Sequence, residues 1–140
     1  AVPLFLALKE ACAIIEEEGI ENRVHRHRQM ARAVRAAAGA WGLPLFPKTD
    51  AVHAYSETVS AICIPEGISD KDLRGTVKKL GIEIAGGQDH LKGKIFRIGH
   101  MGAVGAPELI ATLGAVQYTL RKCGLKPQDD GVMAACEVLG

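Results

Sequence analysis

The sequence contains no long apolar run and no marked excess of charge of either sign. Residues 4–15 are interrupted by Lys9 and Glu10, so they fall short of the roughly 20 apolar residues that cross a bilayer. The net charge is +1 at pH 7, so no overall field attracts nucleic acid or an anionic membrane. The opening residues also lack the charged region of a signal peptide. We therefore expect a cytoplasmic protein without a membrane or nucleic-acid partner.

Cysteine pairs and the short motifs of common catalytic sites are also missing. No Cys-x-x-Cys or His-x-x-x-His pair occurs, so no metal site is predicted. The Gly-x-Ser-x-Gly turn of serine hydrolases is also absent, so that chemistry is not predicted either. The spacing of Gly99, Gly102 and Gly105 matches neither the dinucleotide fingerprint nor the P-loop, and it predicts a turn. The four cysteines are far apart, and we expect buried free thiols in a reducing compartment. They are Cys12, Cys63, Cys123 and Cys136.

The sequence does contain one arginine in a favourable position for binding an anion. Arg97 lies in a predicted strand, where alternation places Phe96 and Ile98 on one side and Arg97 on the other. Gly99 and Gly102 follow and allow a tight turn. An arginine at such a strand end suits bidentate binding of a carboxylate. The alternative is a solvated arginine on a half-exposed strand.

The order of predicted elements defines the fold class. Helices and strands follow the pattern ααβαββαα, without the alternating units of a parallel sheet, which predicts an α+β domain. We expect two layers: a small, mainly antiparallel sheet of three strands, with helices on one face. The predicted helices cover residues 3–18, 21–38, 69–80, 107–123 and 130–139; the strands cover 58–64, 82–85 and 94–98, with a loop at 48–55.

Two of these helices have unusual surfaces. The helix at 3–18 is apolar around most of its circumference, so we expect another domain or a partner subunit to cover it. The helix at 21–38 carries many arginines and histidines, which would suit a nucleic-acid interface. A solvated face, paired partly with the acidic residues 16–18, is the alternative that we favour because no aromatic residues are interspersed.

Four segments together resemble a known family. Residues 17–23 with His27, 65–68, 84–88 and 92–102 occur in the same order in the C-terminal small domain of class V pyridoxal-phosphate aminotransferases. The resemblance is greatest to the alanine/serine–glyoxylate and archaeal aspartate or serine–pyruvate aminotransferases, and it extends over nearly the whole chain. It implies the same α+β fold and one domain covering residues 1–140.

The resemblance also implies roles for individual residues. Arg97 matches the arginine that binds the substrate α-carboxylate. We expect Gly99, Gly102, His100 and Gln88 to shape the pocket around it, although the bare sequence would make His100 and Gln88 ordinary turn residues. The reaction would transfer an amino group between a small amino acid (alanine, serine or aspartate) and a 2-oxo acid (glyoxylate, pyruvate or 2-oxoglutarate). The alternative is a stand-alone α+β module that binds a small molecule or a protein without catalysis.

The cofactor is expected outside this chain. In the family, pyridoxal phosphate is bound by a lysine of the large domain, and no lysine here lies in a matching sequence context. We therefore expect no catalytic residue and no covalent cofactor in this chain. The implied partners are the large domain of the same enzyme, a second subunit of a homodimer and the substrate.

Overall fold

The computed structural model describes residues 1–49, 51 and 55–140, and the predicted α+β class is confirmed there. The predicted loop at 48–55 lies partly outside the described residues. The helices are α1 (Val2–Glu18), α2 (Ile20–Ala40), α3 (Asp70–Lys79), α4 (Ala106–Lys122) and α5 (Gly131–Leu139), with a short 3-10 helix at Asp89–Leu91. The strands are β1 (Val59–Cys63), β2 (Ala85–Gly86) and β3 (Ile95–Gly99).

The three strands form one antiparallel sheet with β3 in the centre. β1 and β2 lie on either side of it, so the order is β1-β3-β2. Arg97 pairs with Ala61 of β1 and with Ala85 of β2. β2 and β3 form an antiparallel hairpin, although β2 is only two residues long.

Local sequence signals account for the helix boundaries. The side chain of Ser69 accepts a hydrogen bond from the amide of Asp72, and that of Asp130 accepts from the first amides of α5. Both residues are N-caps that satisfy otherwise unpaired backbone donors. Gly19 separates α1 from α2 and has a φ of 80°, a conformation that glycine adopts without steric cost.

The core lies between the sheet and the helices. Ile62, Phe96 and Ile98 project from the same face of the sheet and are at most 1% exposed. They belong to one apolar cluster with buried residues of α2, α3 and α4, including Val34 and Leu113. Because side chains alternate along a strand, Arg97 lies on the opposite face.

A buried polar network joins α2, α4 and α5. The indole nitrogen of Trp41 donates to the Oε1 atom of Gln117 at 2.8 Å, and the amide of Gly131 donates to the same oxygen at 2.8 Å. Gln117 in turn donates to Asp130 at 3.2 Å. The network therefore fixes the position of α5 against the two longer helices.

Helix α1 stands apart from this core. None of its residues is buried, and Leu4, Phe5 and Leu8 are 73%, 71% and 60% exposed. The broad apolar surface predicted from the sequence is therefore present and uncovered in this chain. None of the described helices is long and apolar enough to cross a membrane.

The cysteines are free, but they are less buried than the sequence predicted. Cys12 is exposed because it lies on α1, and the other three are half-buried.

Candidate functional site

Arg97 occupies the middle of the sheet on the face away from the helical core. Its neighbours across the strands on that face are Ala61 and Ala85. Both have side chains of a single methyl group, so neither obstructs the long arginine side chain between them. Arg97 therefore lies between two small side chains on this face of the sheet.

The backbone of β2 holds the Arg97 side chain in place. Its Nε atom donates to the carbonyl oxygen of Gly86 at 2.9 Å. Within residues 1–49, 51 and 55–140, the Nη1 and Nη2 atoms of Arg97 make no hydrogen bond, and no carboxylate pairs with them. An oriented guanidinium with two free terminal nitrogens is suited to binding a carboxylate through both of its oxygens.

Two glycines fix the carbonyl that Arg97 uses. The amide of Gly87 donates to the carbonyl of Ile95 at 3.1 Å, which keeps this turn against β3. A Cβ atom at Gly87 would overlap the carbonyl oxygen of Leu91, so the chain can fold back here only with glycine. Gly86 packs closely on the guanidinium of Arg74, where an added Cβ would lie 2.9 Å from Nε.

The other predicted glycines leave space near Arg97 and form the turn after it. Gly99 is two residues beyond Arg97 and lies on the same face of the sheet. A Cβ atom added at Gly99 would have one neighbour within 4 Å among the described residues, the Cε atom of Met101 at 4.0 Å. Gly102 has a φ of 72°, which favours glycine. Gly99 therefore opens the surface beside Arg97, and Gly102 allows the chain to turn away toward α4.

Gln88 and His100 lie in different surroundings. Gln88 is exposed at the start of the 3-10 helix. The side chain of His100 is fully buried, with its Nε2 atom 3.0 Å from the Oγ atom of Ser60, and its amide donates to the carbonyl of Thr58. The structure thus places His100 within the domain and not on the open surface that carries Arg97.

The burial of His100 affects its protonation. Loss of solvation lowers the pKa of its imidazole from 6.5 to about 4, and the positive charge of Arg35 acts in the same direction. His100 is therefore neutral at pH 7, when it can share one hydrogen bond with Ser60.

Arg26 also belongs to this region, although it was not predicted to lie there. The guanidinium of Arg26 donates to the carbonyl oxygens of Gly102 and Val104, each at 2.9 Å, in the turn after β3. It also forms a two-point ion pair with Glu18, at 2.6 and 3.0 Å, and this pairing lowers the pKa of the Glu18 carboxyl. The predicted pairing of the basic helix with residues 16–18 gave a partial signal, but the contacts with the turn were missed.

The rest of the basic face of α2 is partly neutralised by acidic residues. Arg23 pairs with Glu18 at 2.7 Å, and Arg28 pairs with Glu57 at 3.0 Å. A surface cavity of about 600 Å³ along this face is lined by arginines but also by Glu57 and Glu137. This mixture of charges fits a solvated, ion-paired face better than a continuous surface for phosphates.

Lysines and metal-binding residues do not assemble into a second site within the described chain. Every lysine is exposed. No group of three or more histidine, cysteine, aspartate or glutamate residues in the described ranges could hold a metal ion.

The fold and the site together define a class of protein domain: a small α+β domain with an oriented, half-buried arginine on the face of its sheet away from the core. No protein-family profile matches the chain. It is 48% identical over 140 residues to an uncharacterized aminotransferase of Methanocaldococcus jannaschii, covering 99% of this chain and 36% of that protein. It is 35% identical to the serine–glyoxylate aminotransferase of Methylorubrum extorquens, covering 99% of this chain and 34% of that protein.

Two further comparisons complete this result. A Synechococcus protein named as the small subunit of a soluble hydrogenase is 40% identical, covering 99% of this chain and 36% of that protein. The crystal structure of ureidoglycine–glyoxylate aminotransferase from Bacillus subtilis superimposes with a TM-score of 0.85 at 32% identity. This alignment covers 94% of our chain and 34% of that structure.

The chain is therefore a homologue, over nearly its whole length, of one domain-sized part of the amino acid–glyoxylate aminotransferases. The family resemblance found in the sequence is confirmed. The chain spans about a third of the length of the relatives that it matches.

Proposed function

We propose that this chain is the C-terminal small domain of a class V, pyridoxal-phosphate-dependent aminotransferase, and that Arg97 binds the substrate α-carboxylate. The observation that carries the proposal is the geometry of Arg97: one nitrogen is held by the carbonyl of Gly86, and the two terminal nitrogens are free among the described residues. Such a side chain is oriented before the ligand arrives, so little entropy is lost on binding.

The residues of this chain would bind and orient the substrate. The carboxylate meets Arg97 through both oxygens, which fixes the direction of its Cα atom relative to the sheet. The alanines on either side and the missing side chain at Gly99 leave room for the rest of a small amino acid or 2-oxo acid. The candidates are alanine, serine or aspartate with glyoxylate, pyruvate or 2-oxoglutarate.

The residues of this chain do not fit a site for the cofactor. A lysine that carries pyridoxal phosphate must be sheltered and close to the substrate, whereas every lysine here is exposed. We therefore assign the cofactor and its lysine to the remainder of the parent enzyme. No catalytic step is attributed to the residues of this chain beyond holding the substrate.

The exposure of α1 supports the proposed partners. A helix as apolar and as exposed as α1 is typical of a surface that another part of an assembly covers. The large domain of the parent enzyme and the second subunit of a homodimer are the proposed neighbours. A substrate site on an open sheet face would likewise be closed by those neighbours.

The experiment that tests this proposal is an activity assay of the full-length parent protein. We expect it to transfer an amino group from alanine, serine or aspartate to glyoxylate, pyruvate or 2-oxoglutarate, and to need pyridoxal phosphate for this. Resolved apoenzyme, with and without the cofactor restored, is the control. A folded parent that transfers no amino group in any of these pairs would support the alternative of a binding module without catalysis.

A further inference from the structure

The turn between β3 and α4 is held at three points along its length. At its start, the amide of His100 donates to the carbonyl of Thr58 at 2.9 Å. At its end, the carboxylate of Glu108 accepts from the amide of Gly105 at 3.0 Å. Among residues 1–49, 51 and 55–140, only side-chain contacts from Arg26 hold the middle of the turn, at Gly102 and Val104.

Met101 connects this turn with the carboxylate site. Its Cε atom lies 4.0 Å from the position that a Cβ atom would take at Gly99, which is on the same face as Arg97. Met101 is 48% exposed, so its side chain is available to a ligand bound at that face. The position of Met101 depends on the turn, since the next residue is one of those whose carbonyl Arg26 holds.

Arg26 is itself fixed from the other side. Glu18, at the end of α1, receives two hydrogen bonds from its guanidinium, and the Arg26 side chain is only 28% exposed. One planar group therefore links the α1–α2 corner to the turn after the Arg97 strand. A lysine could not make these four contacts, because it lacks the fork of donors.

We propose that Arg26 is a positioning residue of the substrate site, which fixes the turn that places Met101 beside Arg97. Arg26 would thus influence the substrate without touching it. This inference rests on the proposed function of Arg97.

The test uses three variants of the full-length parent enzyme. Arg26→Gln removes the ion pair and most contacts with the turn, while Arg23→Gln removes an ion pair to the same Glu18 and leaves the turn untouched. We expect Arg26→Gln to raise KM for the amino acid about tenfold, since a shift of about 1 Å in a group beside the substrate can cost up to about a hundredfold. Arg23→Gln should leave KM within about twofold, as expected for a part-exposed ion pair. Arg26→Lys, which keeps the charge but has a single donor nitrogen, should fall between them and serves if Arg26→Gln does not fold.

A second test separates positioning of the substrate from a purely structural role of Arg26, because only positioning couples Arg26 to Met101. If Arg26 acts through the turn, Met101→Ala and Arg26→Gln should be non-additive, so the double variant should raise KM by less than the product of the two single effects. Their effects should also differ between alanine and aspartate as donors. Independent, multiplicative effects on KM would overturn the proposal, as would equal effects of Arg26→Gln and Arg23→Gln.

Failure of this inference can be separated from failure of the proposed function. If Arg97→Lys impairs the enzyme while Arg26→Gln leaves KM unchanged, only the positioning role is wrong. If Arg97→Lys has no effect on KM either, the carboxylate site itself is wrong and the role of Arg26 falls with it.

Discussion

The Nε atom of Arg97 donates to the carbonyl oxygen of Gly86, 2.9 Å away, across the paired strands β2 and β3. The orientation of this guanidinium therefore comes from the backbone of the sheet. No carboxylate among the described residues neutralises it, although Glu18 and Asp70 each pair with arginines elsewhere. A half-buried, oriented and unneutralised arginine is suited to binding an anionic ligand.

The chain alone should not bind pyridoxal phosphate covalently at a defined lysine, because all its lysines are exposed and the sheltered site is assigned to the large domain. After incubation with the cofactor, borohydride reduction and dialysis, mass spectrometry should find no single stoichiometrically modified lysine. A specific adduct at one lysine, with a persistent aldimine absorbance band, would contradict this assignment.

The chain alone should self-associate through α1. Phe5 and Leu8 are 71% and 60% exposed on a helix without a buried residue, and such patches associate in water. We expect concentration-dependent oligomers in sedimentation experiments and binding of an apolar dye. Phe5→Gln with Leu8→Gln should reduce both without lowering the free energy of unfolding. A chain that stays monomeric at high concentration and binds no dye would disprove this.

Gly131→Ala should destabilise the domain. An added Cβ atom would overlap the indole of Trp41 and disturb its hydrogen bond to Gln117. Overpacking of this kind costs about 1–3 kcal/mol. The control is Gly75→Ala in α3, where nothing lies within 4 Å of the added atom and where we expect a gain of about 0.5–1 kcal/mol. Urea unfolding of both variants measures the difference, and equal effects would refute the role of this contact.

His100 should make the domain less stable as the pH falls. Its pKa is lowered from 6.5 to about 4 in the folded chain, so between these values the unfolded chain binds a proton that the folded chain does not. The contribution of neutral His100 to the free energy of unfolding is complete above pH 6.5 and decreases toward pH 4, by at most about 1.4 kcal/mol per pH unit.

The measurement for His100 is urea unfolding at several pH values in that window. His100→Gln should give a shallower decrease in stability than the unchanged chain. An unchanged slope in His100→Gln would show that His100 takes up its proton equally in both states.

Much of the fold was predictable from local signals. The caps Ser69 and Asp130 and the glycine at position 19 mark helix ends directly, and alternation in β3 correctly separated Arg97 from Phe96. The strand predicted at 82–85 was wrong in its extent, because residues 82–84 alternate in burial without pairing with β3, and the ladder begins only at Ala85.

The candidate site was less predictable because its contacts are distant in sequence. Arg26 contacts carbonyl groups 76 and 78 residues away along the chain. Because every residue has a backbone carbonyl, the residue types at those positions do not reveal the contact. His100 follows the strand of Arg97, yet its ring turns into the domain toward Ser60. Neither outcome follows from spacing alone, since both depend on how the turn packs against α2 and β1.

Binding of the substrate carboxylate by Arg97 is tested most directly by Arg97→Lys in the full-length parent enzyme. Lysine keeps the charge but loses the planar fork, so at least one charged hydrogen bond is lost, worth about 1.5–3 kcal/mol. We expect kcat/KM to fall about ten- to hundredfold, with the cofactor spectrum unchanged. Arg28→Lys is the matched control, because Arg28 is 64% exposed and pairs only with Glu57 among the described residues.

Amines without a carboxylate should react equally well with Arg97→Lys and with the unchanged parent enzyme, because they cannot use the lost contact. The contrary result is that Arg97→Lys keeps the kcat/KM of the parent enzyme for the amino acid, as Arg28→Lys does. Arg97 would then be a solvated strand residue, and it would not bind the substrate carboxylate.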